Sequence, residues 1–266
     1  MRNLNIRKRL GLLLALPLAT LGIVAVAHAA VTFGPSRPTF TWAHPATYIT
    51  FNSITDNPVV GDERQFLKTR DLTLPTTAYS TQTTVTDGED VVMEVYFHNN
   101  AASNLNLTAT GTTVKFALPS GSATTMTPTA YITAANSSPG QVFATADLTS
   151  STPFSLSYEP GTAKLYTNFV NGIPVSDNVV AGGTLICSHG PDGLVPGCAQ
   201  FSGYVTIRVK VHMVTPPVHK HVVKPVTKTT ALPNTGPGDV FELFAGTSAA
   251  GTAGHFALSA IRRRRL

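Results

Sequence analysis

The chain has 266 residues, with 19 Lys and Arg against 14 Asp and Glu, a formal net charge of +5 and 42% apolar side chains. The basic excess sits at the two ends: from Ala30 to Thr235 there are 11 basic and 12 acidic residues. That balance removes the electrostatic argument for nucleic acid or an anionic membrane surface as a partner, while about 185 central residues are enough to bury a core.

In chain order, Arg2, Arg7, Lys8 and Arg9 precede an apolar run over residues 10–26, and Ala27-His28-Ala29 follows as an A-x-A site. This pattern predicts a secretory signal peptide over 1–29, cut after Ala29. Cleavage after Ala30 and an uncut N-terminal anchor are the alternatives. Residues 30–46 read as an N-terminal arm, because Pro35, Pro38 and Pro45 oppose regular pairing. Phe40 and Trp42 are expected to dock this arm, and an exposed ligand platform is the second role for Trp42.

Residues 47–214 read as strands and turns. Alternation over 47–53 predicts a strand, and residues 66–71 a second one. Asp87-Gly88-Glu89-Asp90 is a turn before the clearest strand, 91–98. There Val91, Met93, Val95 and Phe97 are expected to face the core, and Val92, Glu94, Tyr96 and His98 to face water. Further strands are expected at 112–118, 129–134, 141–148, 154–158, 163–167, 184–188 and 203–214, with Glu159-Pro160-Gly161 as a hairpin turn. In the last strand Val205, Ile207, Val209, Val211 and Met213 alternate with Tyr204, Thr206, Arg208, Lys210 and His212, giving one core face and one wet face. Nine or ten short strands without a useful helix predict an all-β, immunoglobulin-like β-sandwich.

Residues 215–231 differ in kind. Pro216, Pro217 and Pro225, with Lys220, Lys224 and Lys228, make a disordered, extended linker. It would span about 50 Å, with its lysines available to anionic envelope polymers. Leu232, Pro233, Asn234, Thr235 and Gly236 come next, then a mostly small and apolar run to Ile261, then Arg262, Arg263, Arg264 and Arg265.

This tail over 232–266 resembles the sorting signal of LPxTG proteins. The resemblance implies that a sortase cysteine attacks the Thr235 carbonyl, releases Gly236 and joins Thr235 to an amine of the cell wall or envelope. Residues 243–261 would form an apolar helix of about 28 Å, enough for a bilayer core, and the arginines would stop transfer on the inner side. The tail departs from the family pattern at Asp239 and Glu242, at His255 inside the span, and at Gly246, Gly251 and Gly254. A second likeness rests on Gly61-Asp62-Glu63-Arg64, on Asp87-Gly88-Glu89-Asp90 leading into Val95-Tyr96-Phe97-His98-Asn99-Asn100-Ala101-Ala102, on Leu156-Ser157-Tyr158-Glu159-Pro160-Gly161 and on Gln200-Phe201-Ser202-Gly203-Tyr204-Val205. These pieces are similar to DUF11-like, immunoglobulin-type domains on surface proteins of ultra-small host-attached bacteria. That likeness implies a fold and a place, not a reaction.

Candidate chemistry is sparse. Cys187 and Cys198 flank a Gly- and Pro-rich loop and are expected to form a disulfide in an exported chain. Two acidic loop clusters, Asp56, Asp62, Glu63 and Asp87, Glu89, Asp90, offer calcium-type oxygens without EF-hand spacing. No G-x-S-x-G or H-E-x-x-H occurs, and His44, His98, His189 and His212 are scattered, so neither an enzyme nor a resident metal or cofactor is expected. Lys115 and Lys164 are candidates for a pilin-type nucleophile or a Lys–Asn cross-link. The reading is an exported, envelope-anchored display protein with a structural or adhesive role. Its expected partners are a sortase, the envelope polymer, the membrane before processing and a host-surface glycan or protein. A carbohydrate- or peptide-binding module, with or without calcium, is the alternative, and a secreted hydrolase is the last.

Overall fold

The computed structural model describes residues 31–74 and 78–214. The signal peptide with Ala27 and Ala29, the linker, the sorting motif Leu232 to Gly236, the apolar terminal helices and the arginine run 262–265 lie outside the described residues. In chain order the strands are β1 (Phe33–Gly34), β2 (Leu67–Asp71), β3 (Gln82–Thr84), β4 (Asp90–Phe97), β5 (Thr108–Ala109), β6 (Thr113–Ala117), β7 (Ala123–Met126) and β8 (Thr129–Thr133). They continue with β9 (Gln141–Thr145), β10 (Asp147–Tyr158), β11 (Lys164–Thr167), β12 (Asn171–Pro174), β13 (Thr184–Leu185), β14 (Val195–Pro196) and β15 (Gly203–Met213). Helical structure among the described residues is three short 3-10 turns.

Two main sheets share one apolar cluster. The first has the order β1-β9-β8-β6-β13. In the second, β15 pairs with β4 along one side and with β10 and then β11 along the other. β2 extends it beyond β4, β12 beyond β11, and β7 and β3 beyond β10. Pairing is antiparallel except between β3 and β10. A small β5–β14 ribbon completes the set. The inward side chains follow from period-2 alternation. Phe116 and Ile132 from the first sheet meet Met93, Val95, Phe97, Leu165, Val205 and Ile207 from the second, all at most 1% exposed.

The alternation in β15 appears as expected: Val205, Ile207, Val209 and Val211 are buried, and Arg208 and His212 are exposed. Elsewhere the structure corrects the reading. Residues 47–53 form no strand. Asn52 adopts φ +48°, its side chain bonds to Glu63 O, Tyr96 O and His98 N, and backbone pairing is limited to one bridge, Phe51 with Asn99. The run 141–148 is not one strand; it breaks at Ala146, where the chain passes from the first sheet to the second. Glu159-Pro160-Gly161 is not a hairpin turn. Tyr158 pairs with Val209 and Lys164 with Thr206, so β10 and β11 run end to end along the same side of β15. Residues 159–163 bulge out between them, with Gly161 at φ +79° and Thr162 Oγ1 accepting the Arg208 amide at 3.0 Å.

The arm is tied to the body. Phe33 and Gly34 pair with Ala144 and Phe143. Arg37 donates to Ser53 Oγ at 2.9 Å and to Asn52 O at 2.6 Å. The Trp42 amide donates to Asp56 Oδ1 at 2.6 Å.

Candidate aromatic and cationic cleft

The site lies on the outer face of the second sheet, opposite the core. Strand register builds it in rows. Tyr166 of β11, Tyr204 of β15 and Tyr96 of β4 are cross-strand partners, so three tyrosines lie side by side. The next row is Lys164, Thr206, Glu94 and Lys68. The third row joins Arg208, Val92 and Arg70. Rows two residues apart are separated by about 6.8 Å, so the first and third lie about 14 Å apart.

The tyrosine row lines a cleft of about 540 Å³. The rings of Tyr96 and Tyr204 are 5.2 Å apart, tilted by 51°. Trp42 from the arm, 41% exposed, and Asn57 and Val59 from the following loop line it too, as do Asn168, Gln200 and Ser202, and no charged residue does. Gly203 permits the close approach of this wall: a Cβ there would fall 2.4 Å from Tyr166 O and 2.9 Å from the Phe97 ring. Aromatic faces beside amides and hydroxyls suit a ligand that is apolar on its faces and hydroxylated at its edges.

A second hollow of about 340 Å³ adjoins the cleft at Tyr166. Arg70, Lys164 and Arg208 line it with Tyr79, Thr162 and Thr206, and no Asp or Glu does. The Arg70 guanidinium lies 4.8 Å from the Tyr79 ring centroid. Burial, then the nearby Glu94 charge, pushes the Tyr79 hydroxyl up to about 12. Glu94 itself is raised by burial, against the Tyr79 hydrogen bond and the charges of Lys68 and Arg70.

Behind Trp42 the structure holds a buried polar cluster. The strand reading put His98 on the wet face; it is 3% exposed, and Tyr96 is also buried, because the 57–63 loop and the arm cover this end of β4; Val92, at the other end, is buried between Arg70 and Arg208 of the flanking strands. Glu63 is 1% exposed. Its Oε1 accepts from Asn57 Nδ2 at 2.6 Å and lies 2.8 Å from His98 Nδ1, and its Oε2 accepts from Asn100 Nδ2 at 2.7 Å. Asn57 also reaches the Tyr96 hydroxyl at 3.2 Å, whose ionisation burial and then the Glu63 charge push well above the ordinary tyrosine range. The cluster fixes the 52–63 loop to β4 and so sets one wall of the cleft.

The remaining sequence candidates are dispersed. Asp56 caps the Trp42 amide and Asp62 pairs with Arg64 at 2.6 Å. Asp87 accepts the Met213 amide, Glu89 caps Thr86, and Asp90 pairs with Lys210. The acidic loops are thus spent on protein donors, and no group of three metal-type side chains assembles among the described residues. The expected Cys187–Cys198 disulfide is not formed; both thiols are free. Cys187 is buried just after β13, which pairs with β6, and its sulfur accepts the His189 amide at 3.4 Å. Cys198 follows β14, which pairs with β5, so different strands hold the two ends of the loop. Lys115 sits on β6 across from Tyr131, and Lys164 lines the cationic hollow. His212 is exposed and bonds Ser157 Oγ at 2.8 Å, and His189 stacks on Phe169 at 4.0 Å.

Sequence reasoning missed the Glu63–His98–Asn100 cluster and the tyrosine row. The signal for the row was present in the alternation of β4 and β15, but the register that aligns Tyr166, Tyr204 and Tyr96 was not. Compared with known proteins, the chain matches no family model, no curated protein and no solved structure.

Proposed function

We propose that the chain is an exported, envelope-anchored adhesive protein that presents a β-sandwich of immunoglobulin type on an extended linker and contacts a surface saccharide through its aromatic cleft. The observation that carries the anchoring is the order of the terminal segments. A basic and apolar leader with Ala27 and Ala29 opens the chain; Leu232-Pro233-Asn234-Thr235-Gly236, an apolar run and four arginines close it. A sortase joins Thr235 to the envelope, and the described domain stands outside the cell.

Two mainly antiparallel sheets over one apolar cluster support the sandwich class. Aromatic faces bordered by Asn57, Asn168, Gln200 and Ser202 support a saccharide over an apolar peptide. The reading has no catalytic step.

The test of anchoring is mass spectrometry of the C-terminal peptide from fractionated cells. The expected peptide ends at Thr235 and carries an envelope fragment. Recovery of the intact C-terminal Leu266 from the cytosol would refute export and anchoring together.

A further inference from the structure

We infer that the saccharide bound by the cleft is acidic, and that Arg70, Lys164 and Arg208 form the subsite for its anionic group. This rests on the saccharide-binding reading above and gives it a chemical class. The folded part is acidic overall, with 8 basic and 12 acidic residues over 31–214. Yet Lys68, Arg70, Lys164, Arg208 and Lys210 all project from one face of one sheet. Lys210 is neutralised by Asp90, and Glu94 offsets Lys68 and Arg70 in part. None of Arg70, Lys164 and Arg208 is in an ion pair among the described residues, and Arg70 Nε is buried with no hydrogen-bond partner.

A cation of that kind, unpaired inside a concave hollow, is poorly placed unless something anionic completes it. Of the two carboxylates at the bulge, Asp177 is taken by the Tyr158 hydroxyl and the Gly161 amide, and the Glu159 charge acts on Lys210. Gly161 and Thr162 of the bulge form one wall of the hollow. Tyr166 lines both the hollow and the neutral cleft. One ligand can therefore lay sugar rings on the tyrosine row and reach the cations with a carboxylate or sulfate. Arg guanidinium matches either group with paired N–H donors. A free phosphate would use the cations but leave the tyrosine row and Trp42 empty.

The test measures binding of the full chain in mild detergent to three hexasaccharides: hyaluronan, carrying carboxylates; a heparin fragment, carrying sulfates; and chitohexaose, neutral. At least one acidic hexamer is expected to bind ten-fold or more tightly than chitohexaose, and which one identifies the anion. Lys164→Gln with Arg208→Gln, both at exposed positions, should remove that preference and leave chitohexaose binding unchanged. Arg208→Lys should retain part of it. Equal affinity for all three sugars, or an acid preference that survives the double substitution, overturns the acidic subsite while the saccharide cleft stands. Binding of none of the three overturns both.

Discussion

At the residue scale the buried Glu63 carboxylate decides whether the cleft has a wall. It accepts from Asn57 and Asn100 and holds His98 Nδ1 at 2.8 Å. Glu63→Ala leaves these partners unsatisfied in a dry site, and the expected loss is about 3–5 kcal/mol, read from urea unfolding. Glu63→Gln keeps acceptor capacity and should lose less. An unchanged midpoint for Glu63→Ala would show that the cluster is solvated and the wall is set elsewhere. The sequence points the other way for this residue, since it groups Glu63 with Asp56 and Asp62 as an acidic loop cluster. Only the fold brings position 63 against 98 and 100. Glu94 gives a second expectation with a pH sign. Burial raises its pKa in the fold, so the folded chain holds its proton to higher pH than the unfolded chain does. Stability then falls as pH rises from the ordinary carboxylate value, about 4.3, to the raised one. Glu94→Gln should abolish that fall. Thermal melts at pH 4 and pH 7 should show the variant gaining on the native protein only at pH 7.

At the scale of elements, β15 carries the sheet and one glycine governs how closely β11 approaches it. Gly203 pairs with Thr167 and with Phe97, and a Cβ there would collide with the Tyr166 carbonyl at 2.4 Å. Gly203→Ala must push β11 away, at an expected cost of about 1–3 kcal/mol, and should weaken saccharide binding by moving Tyr166. Gly121→Ala is the control: it adds a Cβ into open space at φ +79°, and should cost about 1–2 kcal/mol without touching binding. Long alternating runs such as β4 and β15 were legible because each buries one face along its length. Short elements were not. β1, β5 and β14 are two residues each, and their partners come from distant parts of the chain, which no local pattern encodes. Residues 47–53 alternate well enough, yet the left-handed turn at Asn52 limits pairing there to one bridge, Phe51 with Asn99. The continuous run 141–148 hid a change of sheet at Ala146, since its side chains are buried on both sides of the break. The faces of the site strands could thus be read from sequence, but not the registers that set tyrosine beside tyrosine and cation beside cation.

For the whole molecule, the proposed attachment and the proposed recognition fall on separate segments. Every residue that lines the cleft and the cationic hollow lies between Trp42 and Arg208, while the proposed sorting signal begins at Leu232. Deleting 232–266 should therefore release the chain into the medium and leave its affinity for the preferred hexasaccharide unchanged within two-fold, as read by immunoblot of fractions and by titration of the released protein. Cells carrying the truncated chain should lose surface binding of that sugar even though the protein they secrete still binds it. The salt response separates the two functions further. Anchoring through a covalent bond at Thr235 is indifferent to ionic strength, whereas cations on an otherwise acidic domain act over a Debye length of about 8–10 Å. Washing intact cells with 1 M salt should then strip an acidic saccharide from the native protein but leave the protein on the cell. Loss of the protein itself in that wash would mean that the lysine-bearing linker, not a bond at Thr235, holds it to the envelope.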